Sequence, residues 1–158
     1  MEHDSKMQKN QYTKFIGMLA ASFMAMYITM YLNTYAIDHV YFSLTRFYMT
    51  CLGISAMAII MFVAMRKMYK NKKKNIAIIV GSIALFVSAL GLVRAQAPIV
   101  GDLLWLKAMI PHHSIAILTS ERAAIKDPEV RKLADDIIEA QRKEIGEMKQ
   151  MIKRLEDK

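Results

Sequence analysis

Three stretches of this chain, 15–37, 47–65 and 76–93, contain no Asp, Glu, Lys or Arg. Each is close to the ~20 residues that a helix needs to cross ~30 Å of hydrocarbon at 1.5 Å per residue. The first is broken only by weakly polar residues such as Ser22, Thr29, Asn33 and Thr34. It is too long for the apolar core of a signal peptide, lacks a clear small-x-small cleavage site, and is followed by two more runs. The expectation is three transmembrane helices, about 15–37, 47–65 and 76–93, in a membrane domain over residues 1–95.

Charge orients these spans. Residues 66–74 hold six basic side chains and no acidic one, whereas residues 38–46 hold a single Arg, Arg46. Lys and Arg collect in short cytoplasmic loops, so the 66–74 loop and the amino terminus are expected inside. Everything after Val93 then lies outside, which in a bacterium means the periplasmic face of the cytoplasmic membrane; Arg94 alone argues the other way. Of the formal +8 charge, all belongs to residues 1–96, and residues 97–158 balance 11 basic against 11 acidic groups. A nucleic-acid binder needs its basic groups as a stripe on a folded surface. Here they separate apolar runs, and no nucleic-acid partner is expected. The lone Cys51 rules out a disulfide framework.

From residue 96 the pattern changes to amphipathic helix. Leu103, Leu106, Met109, Ile110, His113, Ala116, Ile117 and Ser120 recur at three- and four-residue spacing after Asp102. Asp127-Pro128-Glu129 is a helix start, with an Asp cap, Pro at the first helical position and Glu at the positive dipole end. A second stripe follows through Val130, Leu133, Ala134, Ile137, Gln141, Ile145, Met148, Ile152 and Leu155. The fold class expected is all-α, with residues 96–158 forming an extracytoplasmic antiparallel hairpin. Two helices bury little core, so a second copy is expected to complete a four-helix bundle as a homodimer.

The segment that carries chemistry is Met109-Ile110-Pro111-His112-His113. Pro111 interrupts the backbone ladder inside the first tail helix and leaves the Lys107 carbonyl without its usual donor. Met109 precedes His112 by three residues and His113 by four, which clusters the three side chains on a helix. Pairing the helices about a turn between Asp127 and Pro128 brings Gln141, Glu144, Ile145 and Met148 to the same level. Two imidazoles, thioethers and one carboxylate suit copper, above all Cu(I), better than Mg or Ca. Against this stands the plainer account, in which His is a hydrogen-bonded core residue and Met is packing material.

This segment, with Ala116, Glu121-Arg122-Ala123, Asp127-Pro128-Glu129-Val130-Arg131, Ala134, Ile137-Ile138, Ala140-Gln141 and Glu144-Ile145-Met148, resembles the domain-of-unknown-function 305 family over residues 105–155. The resemblance implies a small helical domain of ferritin-like bundle type, often exported, with some members tied to copper binding and tolerance. It carries Met109, His112, His113 and Met148 over as metal ligands, with Met151 on the next turn a weaker candidate. Many members have a further Met shortly after the histidines, where this chain has Ile117, Leu118 and Thr119.

The expected function is therefore a membrane-anchored protein, not an enzyme, that binds Cu(I) for sequestration, tolerance or transfer. A non-covalent haem electron-transfer protein with His113 and Met148 as axial ligands is one alternative. A cofactor-free helical interaction module is another. A di-iron oxidase is disfavoured, because no Glu stands three residues before either histidine. Met57, Met61, Met65 and Met68 form a ladder along one face of the second run; packing explains it, since no ionisable group accompanies it within the membrane. His39 is expected to be a solvated loop residue.

Overall fold

The computed structural model describes the backbone of residues 2–157 and the side chains from Asn10 to Asp157. Among these residues there are five α-helices and no strand: α1 (Glu2–Thr29), α2 (Leu44–Ala64), α3 (Lys72–Ala95), α4 (Asp102–Arg122) and α5 (Pro128–Glu156). Single 3-10 turns occupy Ile37–His39 and Arg66–Met68. The chain divides into two compact units. One contains the residues up to Ile28 and Phe47–Gln96; the other contains Thr29–Arg46 and the residues from Ala97 onward.

In the first unit, α2 and α3 are long and apolar enough to cross a membrane. Their 21 and 24 residues correspond to about 32 and 36 Å of helix. Asn71 caps α3, its side-chain oxygen accepting from the Lys74 N–H at 3.0 Å. The core joins Tyr12 and Phe15 of α1 to Ala58 and Phe62 of α2 and to Tyr69, with Met61 and Met65 packed against it. The Tyr12 and Tyr69 rings lie 5.0 Å apart, and those of Phe62 and Tyr69 lie 5.6 Å apart. Cys51 is buried and unpaired. The outer surface of α3 stays apolar: Ile76 is 64%, Val80 58% and Val87 62% exposed.

The first expected span requires correction. Residues 15–37 are not one helix, because α1 stops at Thr29. Its apolar part, residues 15–29, reaches about 22 Å, short of a ~30 Å hydrocarbon layer. The helix ends where hydrogen bonding turns local. Leu32 N–H donates to the Thr29 carbonyl, Thr34 N–H to the Tyr31 carbonyl, and the Thr34 hydroxyl to that same carbonyl at 2.8 Å. Arg46 donates to the Met30 carbonyl and stacks over the Tyr31 ring at 4.5 Å, placing a cation at the negative end of the helix. Residues 29–46 group with the C-terminal helices.

In the second unit, α4 and α5 form the hairpin that the two stripes predict. Leu106, Ile110 and Ile117 of α4 meet Ile145, Met148 and Ile152 of α5 in its core, with Ile110 and Ile117 wholly buried. The Asp127 carboxylate accepts from the N–H groups of Glu129 and Val130, both at 3.0 Å, with Pro128 opening α5. Tyr41, from the 29–46 strap, packs against the same core.

Candidate functional site

α4 runs continuously through Pro111, which is itself buried. Proline at 111 has no N–H to donate to the Lys107 carbonyl. The His113 ring makes a separate backbone contact, its Nδ1 lying 2.9 Å from the Met109 carbonyl oxygen one turn back. A carbonyl only accepts, so Nδ1 carries the proton. That leaves Nε2 as the ligand-capable nitrogen, held by the kind of backbone contact that orients metal-bound histidines. Nε2 in turn lies 2.8 Å from Glu144 Oε2 on α5, and the His113 side chain is 13% exposed against 49% for Glu144. The contact is an ion pair when the ring is protonated at both nitrogens.

The other three expected ligands are placed differently. Met109 is half-buried and packs against the hairpin core. Met148 belongs to that core and is 6% exposed. His112 is exposed, its ring 6.0 Å from that of His113 and tilted 65° to it. The structure thus joins His113 to the Met109 backbone and sets the Met109 side chain on the cluster that contains Met148, while His112 looks outward. Among the described residues, no three His, Cys, Asp or Glu side chains gather as a metal-binding group. A site here must therefore draw on the thioethers. Met151 is more open than Met148, at 42% exposed.

Sequence reasoning missed the polar centre next to these residues. Ser114 is fully buried on the Ile110–Ile117 face of α4. Its hydroxyl oxygen accepts from the Tyr35 N–H at 2.7 Å and lies 2.9 Å from His39 Nδ1. The other ring nitrogen, Nε2, lies 4.0 Å from Asp38 Oδ1. His39 is therefore not a solvated loop residue: its side chain is 12% exposed. Burial pushes its pKa below the ordinary value, Lys149 pushes it the same way, and Asp38 offsets them in part.

Further bonds hold the strap on the hairpin. Lys149 pairs with Asp38 at 2.5 Å, which lowers the Asp38 pKa. Arg142 pairs with Glu121 and lies over the Tyr35 ring. Arg46 also donates to the Pro111 carbonyl at 3.3 Å. The available signal was Ser114 itself, a lone hydroxyl on a buried apolar stripe that has to be satisfied by something.

These features define a class: an antiparallel helical hairpin whose Met/His-bearing first helix runs through a proline, following helices suited to a membrane. The chain belongs to the domain of unknown function (DUF305) family, whose family model matches residues 92–157. It is also 36% identical over 138 residues to an uncharacterised protein of Acanthamoeba polyphaga mimivirus, covering 85% of this chain and 88% of that protein. That relative is therefore similar across the helical N-terminal unit as well as the hairpin. No solved structure matches.

Proposed function

We propose that this is a membrane-anchored protein whose C-terminal hairpin binds copper, as Cu(I), on the extracytoplasmic side, for sequestration, tolerance or transfer. The membrane reading is supported by the apolar exposed surface of α3, which water would penalise and lipid would not. The six basic residues at 66–74 set that loop in the cytoplasm. The hairpin then lies outside, at the periplasm in a bacterial setting.

The observation that carries the copper reading is the His113 ring, fixed by the Met109 carbonyl with Nε2 turned to α5. His113, His112, Met109 and Met148 would hold the ion, a donor set of imidazole and thioether that suits Cu(I). Glu144 would give up its contact with Nε2, and Met148 would have to leave the core packing it now occupies. A second copy would supply the rest of a four-helix bundle against the exposed Val130 and Leu133 of α5. No reaction is proposed.

The test is a competitive Cu(I) titration of the full-length protein in detergent, beside the His112→Ala/His113→Ala variant. Tight binding that is lost in the variant is expected, as is weaker binding on acidification, because neutral imidazole is the ligand. Equal affinity in both proteins would remove the assignment. Absence of binding in either would favour the cofactor-free interaction module, a reading supported by the His113–Glu144 contact between the two helices.

A further inference from the structure

The N-terminal unit contains an open apolar slot with a cationic end. α1 and α3 run in the same direction: Tyr12 lies beside Asn75, with its hydroxyl donating to Asn75 Oδ1 at 2.6 Å, and Phe23 shares a lining with Leu85. Along the two helices lie adjoining cavities of about 650 and 490 Å³, which share Ile16, Ala77 and Ile78; Ile54, Ser55 and Ala58 of α2 close the inner side of the smaller one. Gly17 and Gly81 both line the slot, and a β-carbon built on either would meet nothing within 4 Å. From Tyr12 to Phe23 the slot follows about 16 Å of helix, half of a ~30 Å hydrocarbon layer and so the depth of one leaflet.

Its mouth is basic. Lys74 lines it, with the ammonium 5.0 Å from the centre of the Tyr12 ring. Lys14 and the basic residues of the 66–74 loop belong to the same end of the sequence pattern, and no Asp or Glu occurs in residues 10–28 or 47–96. The unit's acidic residues are Glu2 and Asp4 alone. Most of the countercharge has to come from outside the unit.

We propose that the α1–α3 slot binds one anionic phospholipid of the cytoplasmic leaflet, its acyl chain against Gly17 and Gly81 and its phosphate at Lys74. The inference rests on the membrane reading above and is independent of copper. An apolar channel of leaflet depth takes a hydrocarbon chain, and an ammonium at its polar end selects a negative headgroup. A second copy of the chain fits less well, because its own α1–α3 surface would bring like charge to like charge.

The experiment is native mass spectrometry of the full-length protein released from mild detergent, with dioleoyl phosphatidylglycerol or dioleoyl phosphatidylcholine added at equal concentration. One retained phosphatidylglycerol per chain is expected, at about five-fold the level of phosphatidylcholine, the effect of one lysine near the headgroup. Lys74→Gln should bring phosphatidylglycerol down to the phosphatidylcholine level. Gly17→Leu/Gly81→Leu should remove both adducts by filling the slot. Equal retention of the two lipids by the wild type, a preference that survives in both variants, or a lipid-free dimer dispersed by the Gly17→Leu/Gly81→Leu change would each overturn the proposal. If the double variant misfolds, Lys74→Gln, which keeps the apolar slot intact, decides. Retention in carbonate-washed membranes is scored in parallel. A chain released by that wash refutes the membrane reading itself, whereas one that stays and shows no lipid preference refutes only the slot.

Discussion

Two helices of similar build bury their surfaces in opposite ways. α3 is apolar on all sides, and almost none of its apolar window is covered by protein. α5 is apolar along one stripe, and that stripe is where Ala134, Ile145, Met148 and Ile152 disappear into the hairpin. A stripe demands a protein partner, whereas a uniformly apolar cylinder demands an apolar solvent. On the membrane reading proposed above, the two units are stabilised by different media, and the same substitution should have different consequences in each.

The sharpest break of that comparison is a pair of truncations. Ile110→Ala, at a wholly buried position, should cost about 2–5 kcal/mol through lost burial and a cavity. Val80→Ala, on the exposed face of α3, should change stability by under ~0.5 kcal/mol. Denaturant unfolding of both variants in the same detergent reads the difference, and equal losses would mean that α3 is packed against protein.

Next in size is Ser114→Ala. It leaves the Tyr35 N–H and the His39 ring without their shared partner, at about 1–3 kcal/mol. Amide exchange should accelerate at Tyr35 far more than at Ala134, because the strap loosens before the hairpin opens. Uniform acceleration would show that strap and hairpin are one cooperative unit.

Asp127→Ala removes the acceptor for two N–H groups at the start of α5 and should cost about 1 kcal/mol. The loss should appear in the unfolding of the C-terminal unit and leave carbonate-resistant membrane association untouched.

The smallest effect concerns pH. The His39 pKa is lowered in the folded chain, chiefly by burial. The unfolded chain therefore takes up a proton first as pH falls. The contribution of this site is complete above the unfolded value of about 6.5 and declines as pH drops from there towards the folded value. Charged and titratable groups on both sides set its size: Lys149 on α5 and Asp38 on the strap. Melting of the C-terminal unit should shift downward between neutral and mildly acid pH, and His39→Gln should flatten that part of the profile.

Particular residues show how much was legible beforehand. The start of α5 could be read from Asp127-Pro128-Glu129, since cap, ring constraint and dipole act within four residues. α2 and α3 could be read from uninterrupted apolar length. The end of α1 could not, because residues 30–37 are as free of charge as those before them; the helix stops where Arg46 and local turns take over its carbonyls. The site was legible in part. The four-residue spacing brought Met109 and His113 together, but it could not show that His112 faces outward or that Met148 is committed to the core.

The sequence by itself determined α2, α3 and the two helices of the hairpin, with their polarity, because periodicity, caps and side-chain chemistry act over one or two turns. Only the tertiary structure decided the path of the strap and the burial of His39, and it made Ser114 the point where the strap meets α4. Those outcomes depend on hydrogen bonds between groups about 75–79 positions apart, formed because a buried hydroxyl and a buried imidazole each had to find a partner once water was excluded.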